Sequence, residues 1–334
     1  MATFATTLFS AAALRVHCAP AAPGQPPAAP RLPLAFEALL FLMPAHQALQ
    51  PASGSVLAFF LEDEAASRTV AQLYVVLDAV GPGQARSPGQ ASFGGVQLAE
   101  GLPIAALHVL LDAVEATLRQ HQQTSLAVRG YPFCYDPAGA ATLAEALRQR
   151  GYQVPLAEQN YHLDTQRDYA AHLHPSEQRR LRKCQRSGLI VEQEPPLLLP
   201  AAYEFIAACR QERGQALSLP LASIQALFAT FPRQHALLSV RKPSGDWAAI
   251  TLAIWVSKRV LYNFYPASPL SDNKFSPLVL LNEGLHAFAQ ANGAAVLDLG
   301  TSTLPAGGPN TSLLNFKRHL GGIAGLRLTW QKGL

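Results

Sequence analysis

A carboxylate and an ammonium near the end of the chain are the first candidates for chemistry. Asp298 lies near the end of an apolar strand that closes on Gly300, and Lys317 lies on the helix that follows. An ammonium oriented by a carboxylate can stabilise the oxyanion of a tetrahedral intermediate or the charge of a substrate. The same two side chains can equally form a structural ion pair between neighbouring elements, and the sequence leaves both interpretations open.

Three aromatic residues on the predicted strand Val260 to Tyr265 form a second candidate group. Successive strand residues face opposite sides of a sheet, so Tyr262 and Phe264 share one face and Tyr265 takes the other. The phenol of Tyr265 could protonate a leaving group in a group-transfer reaction. The alternative is that these rings only pack against the sheet.

An acid and a histidine on one predicted helix could form a general base pair. Glu283 and His286 are one helical step apart, so their side chains are neighbours on the helix surface. A solvated helix face is the alternative for both. Gly284, which lies between them, indicates close packing or a nearby ligand.

A short basic segment accounts for the whole charge excess of the protein. The formal net charge is +4, and the segment from His174 to Gly188 holds five cations and one anion. Arg179, Arg182, Lys183 and Arg186 fall at i, i+3, i+4 and i+7, which places them in one stripe on a helix. Such a stripe can bind phosphate groups, or it can be the solvated face of a linker. Aromatic residues do not alternate with these cations, which argues against DNA or general nucleic-acid binding.

The composition is that of a folded protein with more than one core. The chain has 334 residues, of which 49% are hydrophobic and 14% are charged, and this length suits two domains. Cys18, Cys134, Cys184 and Cys209 are far apart and contain no C-x-x-C pair. We therefore expect neither a metal cluster nor a disulfide framework.

The N-terminal residues allow two interpretations, a loose strand of an intracellular protein or a signal peptide with Thr6 to Leu14 as its apolar part and Cys18-Ala19 as its processing site, and the first is favoured. The apolar stretch from Thr6 to Leu14 has no Lys or Arg before it, which a signal peptide would carry. The apolar run from Leu34 to Leu42 is too short to span a bilayer, and no other stretch is better suited. We therefore expect a cytoplasmic protein without a membrane span.

The periodicity of apolar residues predicts a mixed α/β fold in which one order of elements occurs twice. The second half reads strand, two helices, three antiparallel strands, helix, strand, helix, strand. The first half repeats the last part of this order, from a hairpin at Val56 to Leu77 onward, with its long helix at Ile104 to Leu118. The pattern also predicts a helix over Leu34 to Ala48 and a strand over Ser92 to Val96.

This repetition predicts two consecutive domains. They span residues 1–164 and 189–334, and a basic connecting helix lies between them at 165–188. A single larger α/β domain is the alternative interpretation.

Several short motifs carry a resemblance to a known group of proteins. In the second half they are the basic helix H-P-S-E-Q-R-R-L-R-K-C-Q-R-S-G, Ser276-Pro277, A-x-x-x-G (Ala289 to Gly293), L-D-L-G (Leu297 to Gly300) and N-F-K-R-H-L-G-G (Asn315 to Gly322). In the first half they are S-F-G-G (Ser92 to Gly95) and Y-P-x-x-Y (Tyr131 to Tyr135). Together they resemble the Fem-type and BioF2-like acetyltransferases, in which two GNAT (GCN5-related N-acetyltransferase) units are fused.

The resemblance implies an acyltransferase with two GNAT-like domains, the first of them degenerate. It implies acyl-CoA, such as acetyl-CoA, as the donor, or aminoacyl-tRNA, which some members use. The acceptor would be an amine or hydroxyl of a small molecule or cell-envelope precursor, attacking the donor directly and without a metal. The catalytic candidates are Asp298, Lys317 and Tyr265, and the donor-binding candidates are Arg179, Lys183, Arg186 and Ser276.

One departure from the GNAT pattern bears on the donor. GNAT acetyltransferases usually carry Q/R-x-x-G-x-G/A before the long helix, where backbone amides bind the coenzyme A pyrophosphate. Here Asp272 to Pro277 contains no glycine, and Pro277 has no N–H. The departure speaks against acetyl-CoA. The alternative function is an inactive GNAT pair that serves as a ligand-binding or scaffold module.

Overall fold

The computed structural model describes residues 6–11, 13–50, 54–77, 83–304 and 308–334. The strands are β1 (Thr6–Ala11), β2 (Leu14–Ala21), β3 (Val56–Asp63), β4 (Arg68–Val76), β5 (Gln84–Ser87), β6 (Gln97–Leu98), β7 (Ser125–Arg129), β8 (Gln153–Asp164), β9 (Ile190–Glu194), β10 (His235–Arg241), β11 (Trp247–Ser257), β12 (Val260–Asn263), β13 (Val296–Thr301) and β14 (Ile323–Gly333). The α-helices are α1 (Pro44–Ala48), α2 (Ile104–Gln120), α3 (Pro137–Gln149), α4 (Tyr169–His172), α5 (Pro175–Arg186), α6 (Leu199–Gln211), α7 (Leu221–Thr230), α8 (Pro277–Ala291) and α9 (Thr311–His319). Mixed sheets with helices confirm the predicted α/β class.

The chain forms two compact units. Unit 1 comprises Met1–Ala157 and Leu326–Leu334, and unit 2 comprises Glu158–Gly325. Most of β14 therefore belongs to the unit that contains the N-terminus. The domain limits drawn from the sequence, at 164 and 188, stay a prediction.

Unit 1 is built on an antiparallel meander that continues into a parallel pair. β1, β2, β3 and β4 pair in sequence order, and β4 also pairs with β5 and β6. β5 runs parallel to β7, and β7 pairs antiparallel with β14. The predicted helix at Ile104 to Leu118 is confirmed as α2, whose Leu107, Leu111 and Val114 are buried in the core against the sheet.

The predicted helix over Leu34 to Ala48 is wrong. Only a 3₁₀ turn at Leu40–Leu42 and the short α1 are helical there. The reason is Pro44, because a proline disfavours the helical conformation of the residue before it. Met43 is extended, with φ −79° and ψ 139°, and it separates the two turns.

The predicted strand over Ser92 to Val96 is also wrong, and β6 forms just after it at Gln97–Leu98. Gly95 has φ +88°, which is incompatible with a regular strand. Its N–H donates to Ser87 Oγ at 2.9 Å, and the Gly94 N–H donates to the Arg129 carbonyl at 2.9 Å. These bonds fix a loop where the apolar pattern predicted a strand.

Unit 2 has a six-stranded sheet in the order β8-β13-β12-β11-β10-β9. β12 and β13 are parallel, and every other pair is antiparallel. The predicted long helix opened by Ser276-Pro277 is confirmed as α8, whose Val279, Leu281 and Leu285 are fully buried. A Cβ at Gly284 would lie 2.3 Å from Val191 Cγ1, so this glycine permits the close approach of α8 to β9.

A buried carboxylate holds three elements of unit 1 together. Glu115 on α2 is 2% exposed and accepts hydrogen bonds from Arg150 Nε at 3.0 Å and Lys332 Nζ at 2.7 Å. Burial alone would raise the pKa of Glu115, but the bonds from Arg150 and Lys332 outweigh it and hold the pKa below its usual range. The ionised form of Glu115 therefore stabilises the fold.

We predict that Glu115→Gln lowers the free energy of unfolding by about 3–5 kcal/mol at neutral pH, because it leaves the cations of Arg119, Arg150 and Lys332 beside a buried neutral amide. A carboxylate with a depressed pKa stabilises above its unfolded value and loses that contribution as pH falls through its folded value. The difference between wild type and variant should therefore shrink below pH 4.5, the ordinary value. Chemical unfolding at a series of pH values measures it.

The matched control is Glu145→Gln on α3, whose partner is the exposed Arg148. Because this pair is exposed to solvent, stability should hardly change. Equal effects of the two substitutions would contradict the structural role of Glu115.

Candidate functional site

A cavity of about 810 Å³ lies within unit 2. Its wall is formed by α5, the end of α6, the start of α8, α9 and the segment that follows β12. Cations outnumber anions in this wall. The charged or titratable residues that line it are Glu177, Arg180, Cys209, Arg210, Arg213, Lys317 and His319.

Lys317 is the buried cation of the cavity wall. Its side chain lies on α9, it is 5% exposed, and its Nζ donates to the carbonyl oxygens of Gly300 and Thr301, each at 2.8 Å. A buried ammonium needs such acceptors, since an unsatisfied charge in the interior is costly. The two bonds fix the ammonium at the end of β13, beside the cavity.

Asp298 lies on β13 and supports the same turn from the other side. It is 1% exposed, and its Oδ1 accepts from the Gly300 N–H at 2.7 Å and from Asn160 Nδ2 at 2.9 Å. Asp298 and Lys317 therefore both bond to Gly300. Asp298 accepts from the Gly300 N–H, and Lys317 donates to the Gly300 carbonyl oxygen. Lys317 lines the cavity, whereas Asp298 is not among the lining residues.

Tyr265 is buried, and its ring stacks on Phe264 with centroids 4.0 Å apart. Its hydroxyl shares a hydrogen bond of 2.5 Å with Ser218 Oγ. Burial raises the pKa of Tyr265, which the bond to Ser218 only partly offsets. Tyr265 is not among the residues that line the cavity. Its role as a proton donor therefore stays a prediction that the cavity geometry does not support.

The basic stripe lies on the exposed face of α5. Arg179, Lys183 and Arg186 are exposed, and none of them lines the cavity. Lys183 Nζ donates to the Lys274 carbonyl at 2.6 Å, so the stripe lies next to the segment that leads into α8. The opposite edge of the same helix contributes Glu177 and Arg180 to the cavity wall.

Ser276 lies in the cavity wall at the start of α8. Its backbone is left-handed, with φ +57°, a conformation that is uncommon for residues other than glycine. Pro277 has no N–H, and the Val279 N–H donates to the Ser276 carbonyl at 3.0 Å. Among the first three residues of the helix, at most Leu278 can offer a backbone N–H to a ligand.

Glu283 and His286 lie outside the cavity wall and have separate partners. His286 Nε2 lies 3.3 Å from the Asp164 carbonyl oxygen, and Gln185 Nε2 lies 3.5 Å from Glu283 Oε2. The contacts do not join the two residues as a base pair. Burial raises the pKa of Glu283.

Arg210 and Glu177 line the cavity and were not singled out from the sequence. Arg210 is on the last turn of α6, where a cation also suits the helix dipole, and Glu177 is on the first turn of α5, where an acid does. Because helix ends commonly carry such charges, the sequence gives no sign that Arg210 and Glu177 line a cavity. Burial lowers the pKa of Arg210, whose neighbours include Tyr265 and Tyr262.

Neither a metal centre nor a membrane span is found in the ranges given above. Among those residues, no group of three or more His, Cys, Asp or Glu is placed to hold a metal ion. Likewise, none of the helices described has both the length and the apolar character needed to cross a bilayer.

Comparison with known proteins shows a fold and no sequence relative. No protein-family profile and no curated protein matches the chain. The structure is similar to FemX, with a TM-score of 0.62 at 11% identity, covering 83% of this chain and 87% of FemX. It is similar to L-PGS from Bacillus licheniformis, with a TM-score of 0.53 at 10% identity over 78% and 80% of the two chains.

A third similar structure is the C-terminal DUF2156 domain of a protein from Agrobacterium fabrum described as a lysylphosphatidylglycerol synthetase. The TM-score is 0.50 at 13% identity, with 79% of this chain and 81% of that one covered. Identities this low show the fold alone. The chain has the fold of FemX, so the predicted Fem-type fold is confirmed.

We predict that Gly300→Ala destabilises unit 2 and disturbs the carbonyl that holds Lys317. Gly300 has φ +72°, and an added Cβ would lie 3.1 Å from Tyr262 Cε2. The left-handed backbone alone costs an alanine about 1–2 kcal/mol, and crowding by the tyrosine ring adds to it. Denaturant unfolding measures the loss.

Gly293→Ala is the matched control, because Gly293 has φ +79° but nothing within 4 Å of the added Cβ. Gly293→Ala should lose the stability that the left-handed backbone costs an alanine, without the further loss caused by crowding against a side chain. Equal losses at the two positions would disprove close packing around the Gly300 turn.

Proposed function

We propose that the protein is an acyl or aminoacyl transferase and that the cavity of unit 2 is its transfer site. The observation that carries the proposal is Lys317, a buried ammonium in the wall of a cation-rich cavity on an acyltransferase fold. A fixed positive charge in a site shielded from water stabilises developing negative charge far better than a solvated one.

The proposed reaction is a direct transfer. The amine or hydroxyl of the acceptor attacks the donor's carbonyl carbon, a new C–N or C–O bond forms, and the carbonyl electron pair moves to oxygen. Lys317 stabilises this oxyanion. When the carbonyl re-forms, the bond to the leaving oxygen breaks, and that oxygen takes up the proton that the nucleophile has lost. No covalent bond to the protein is needed.

Asp298 acts in this proposal as a positioning residue. Its Oδ1 accepts from the Gly300 N–H and thereby fixes the turn whose carbonyl oxygen holds Lys317. The carboxylate has no part in the transfer itself. Removing Asp298 should therefore affect turnover only as far as it loosens the turn.

The start of α8 does not fit the pyrophosphate of coenzyme A. Such a group needs several free backbone N–H groups and close approach at a glycine. Here Pro277 has no N–H, that of Val279 is used, and Ser276 stands where a glycine would be expected. We derive no step through acetyl-CoA, and we infer that the donor is an aminoacyl ester.

The exposed stripe on α5 supports aminoacyl-tRNA as that ester. Arg179, Lys183 and Arg186 are open to solvent, and Lys183 is bonded to the Lys274 carbonyl, two residues before the cavity-lining Ser276. Phosphates bound on this stripe would lie near the cavity. Charged groups on an exposed helix can bind a phosphate backbone at little cost to folding. The acceptor is an amine or hydroxyl of a small molecule or cell-envelope precursor.

The test of the transfer site is Lys317→Met. Wild-type protein is incubated with radiolabelled aminoacyl-tRNAs and a panel of amines, and labelled product is counted. Loss of one electrostatic contact to a transition state typically reduces the rate about 100- to 1,000-fold, and we expect this for Lys317→Met. Because the substitution also frees two carbonyls, thermal unfolding is measured alongside.

Asp298→Asn is the matched variant, since it disturbs the same turn without touching the cavity wall. We expect it to lower stability while the folded fraction keeps most of its turnover. Equal loss of turnover in both variants would mean that Lys317 is structural. Absence of transfer from aminoacyl-tRNA and from acyl-CoA would reject the enzyme and favour the ligand-binding module.

A second test addresses the stripe. Charge reversal by Arg179→Glu with Arg186→Glu should weaken tRNA binding and flatten its salt dependence, because each lost phosphate contact removes about 0.7–0.9 from the slope of log K against log salt. Stability should hardly change, since both side chains are exposed. Filter binding at several salt concentrations measures the slope.

The control is the double reversal of Arg233 and Arg259, which are exposed in unit 2 but lie outside the stripe and the cavity wall. An unchanged slope in the stripe variant, or an equal change in the control, would leave the stripe as a solvated face.

A further inference from the structure

Arg210 is the arginine of the cavity wall whose charge has no acidic partner in the described chain. Its Nη1 donates to Gln215 Oε1 at 2.8 Å, and no carboxylate oxygen of the residues described approaches it within ion-pairing distance. The other two arginines are engaged: Arg180 pairs with Glu177 at 2.6 Å, and Arg213 with Glu212 at 3.7 Å.

Arg210 is also partly withdrawn from solvent, at the end of a helix that is buried on one side. A guanidinium in this setting pays a desolvation cost that an anion in the cavity would offset. Its planar donors suit a carboxylate or a phosphate, both of which accept two parallel hydrogen bonds.

Glu177, in the same cavity wall, lacks a hydrogen-bond donor for one of its two carboxylate oxygens. Its Oε1 is crowded, with Arg180 Nη1 at 2.6 Å, Ser176 Oγ at 3.2 Å and His319 Nδ1 at 3.9 Å. Its Oε2 is buried and has no hydrogen-bond partner among the described residues, and the whole residue is 1% exposed. An ionised oxygen left without a donor is costly, so a ligand donor is expected here.

We propose that the cavity binds a ligand carrying two groups, an anion held by Arg210 and an amine held by Glu177 Oε2. The two groups come from different helices, α6 and α5, and line one cavity. The shared chemistry of the anion is that of a carboxylate or a phosphate. The ligand class is therefore amino acids, amino phosphates and their derivatives.

The binding proposal stands without any transfer. If the proposed transfer function is correct, the ligand bound in this way is the acceptor of the reaction. The acceptor is then an amine that also carries a negative charge. Glu177 then takes one proton from the bound ammonium, and the amine that results attacks the donor carbonyl. A second proton passes from the nitrogen to the leaving oxygen as its bond to the carbonyl carbon breaks, and Glu177 releases its proton to solvent. A binding experiment without a donor separates the two proposals, since its outcome does not depend on turnover.

The probes are two homologous series, ω-amino carboxylates from glycine to aminooctanoate and the corresponding aminoalkyl phosphates. Alkylamines, alkyl carboxylates and alkyl phosphates of equal length are the single-group controls. Calorimetry or thermal shift measures binding to the full chain. We expect one chain length to bind at least about tenfold more tightly than either single-group control, because both charge-assisted bonds then form together. The series that binds more tightly shows whether Arg210 holds a carboxylate or a phosphate.

Two variants assign the groups. Glu177→Gln keeps an oxygen for Arg180 but puts an NH₂ in place of Oε2, so it should weaken amine-containing probes about 10- to 100-fold and spare the simple anions. Arg210→Gln should do the reverse. Glu204→Gln and Arg233→Gln, exposed changes outside the cavity wall, are the controls and should bind as the wild type does.

The proposal is overturned if no chain length exceeds its single-group controls in the wild-type protein, since this result needs no variant to fold. It is also overturned if folded Glu177→Gln and Arg210→Gln bind every probe as the wild type does. In that case water satisfies Glu177 Oε2 and solvent satisfies Arg210.

Discussion

A buried ammonium must find acceptors, and the candidate site of unit 2 is arranged around those of Lys317. Two of its acceptors are the backbone carbonyl oxygens of Gly300 and Thr301. Carbonyl dipoles stabilise a cation without neutralising it. An ammonium held in this way can still respond to negative charge that develops in a ligand.

The positions of these carbonyl oxygens depend on a backbone turn that only a glycine forms easily. Gly300 has φ +72° and lies against the Tyr262 ring, and its N–H is bonded to the buried Asp298. β13 also pairs in parallel with β12, so the sheet register fixes where the turn begins. The position of one charge is therefore the product of strand pairing, backbone conformation and a buried acid. Preorganisation of this kind spares the site reorganisation during reaction.

The sequence predicted the frame and part of the site because those signals are local. Apolar periodicity located α2 and α8, and the L-D-L-G and N-F-K-R-H-L-G-G motifs pointed to Asp298 and Lys317. It failed at Leu34–Ala48, where an apolar pattern met Pro44. It also missed Arg210 and Glu177, since a cation in a last turn and an acid in a first turn are ordinary helix features. Only the structure shows that both line one cavity and that neither finds a full set of partners.

Unit 1 offers an internal comparison for the candidate site of unit 2. Its β5, α2, β7 and α3 follow the same order as β12, α8, β13 and α9, including the parallel strand pair and a glycine with positive φ after the last helix, Gly151 and Gly321. Counting back from those glycines, the position of Lys317 is taken by Leu147. Val128 on β7 lies two residues before a glycine, as Asp298 does on β13, although Gly130 lacks the positive φ of Gly300.

Both replacements are buried and apolar, and they contribute to the hydrophobic core of unit 1. Burying an ion pair is no better for stability than burying well-packed apolar side chains, and it is often worse. The frame therefore does not require Asp298 and Lys317 in order to fold. A buried charge that the fold does not need and that borders a cavity is the reason why the proposed transfer site rests on Lys317.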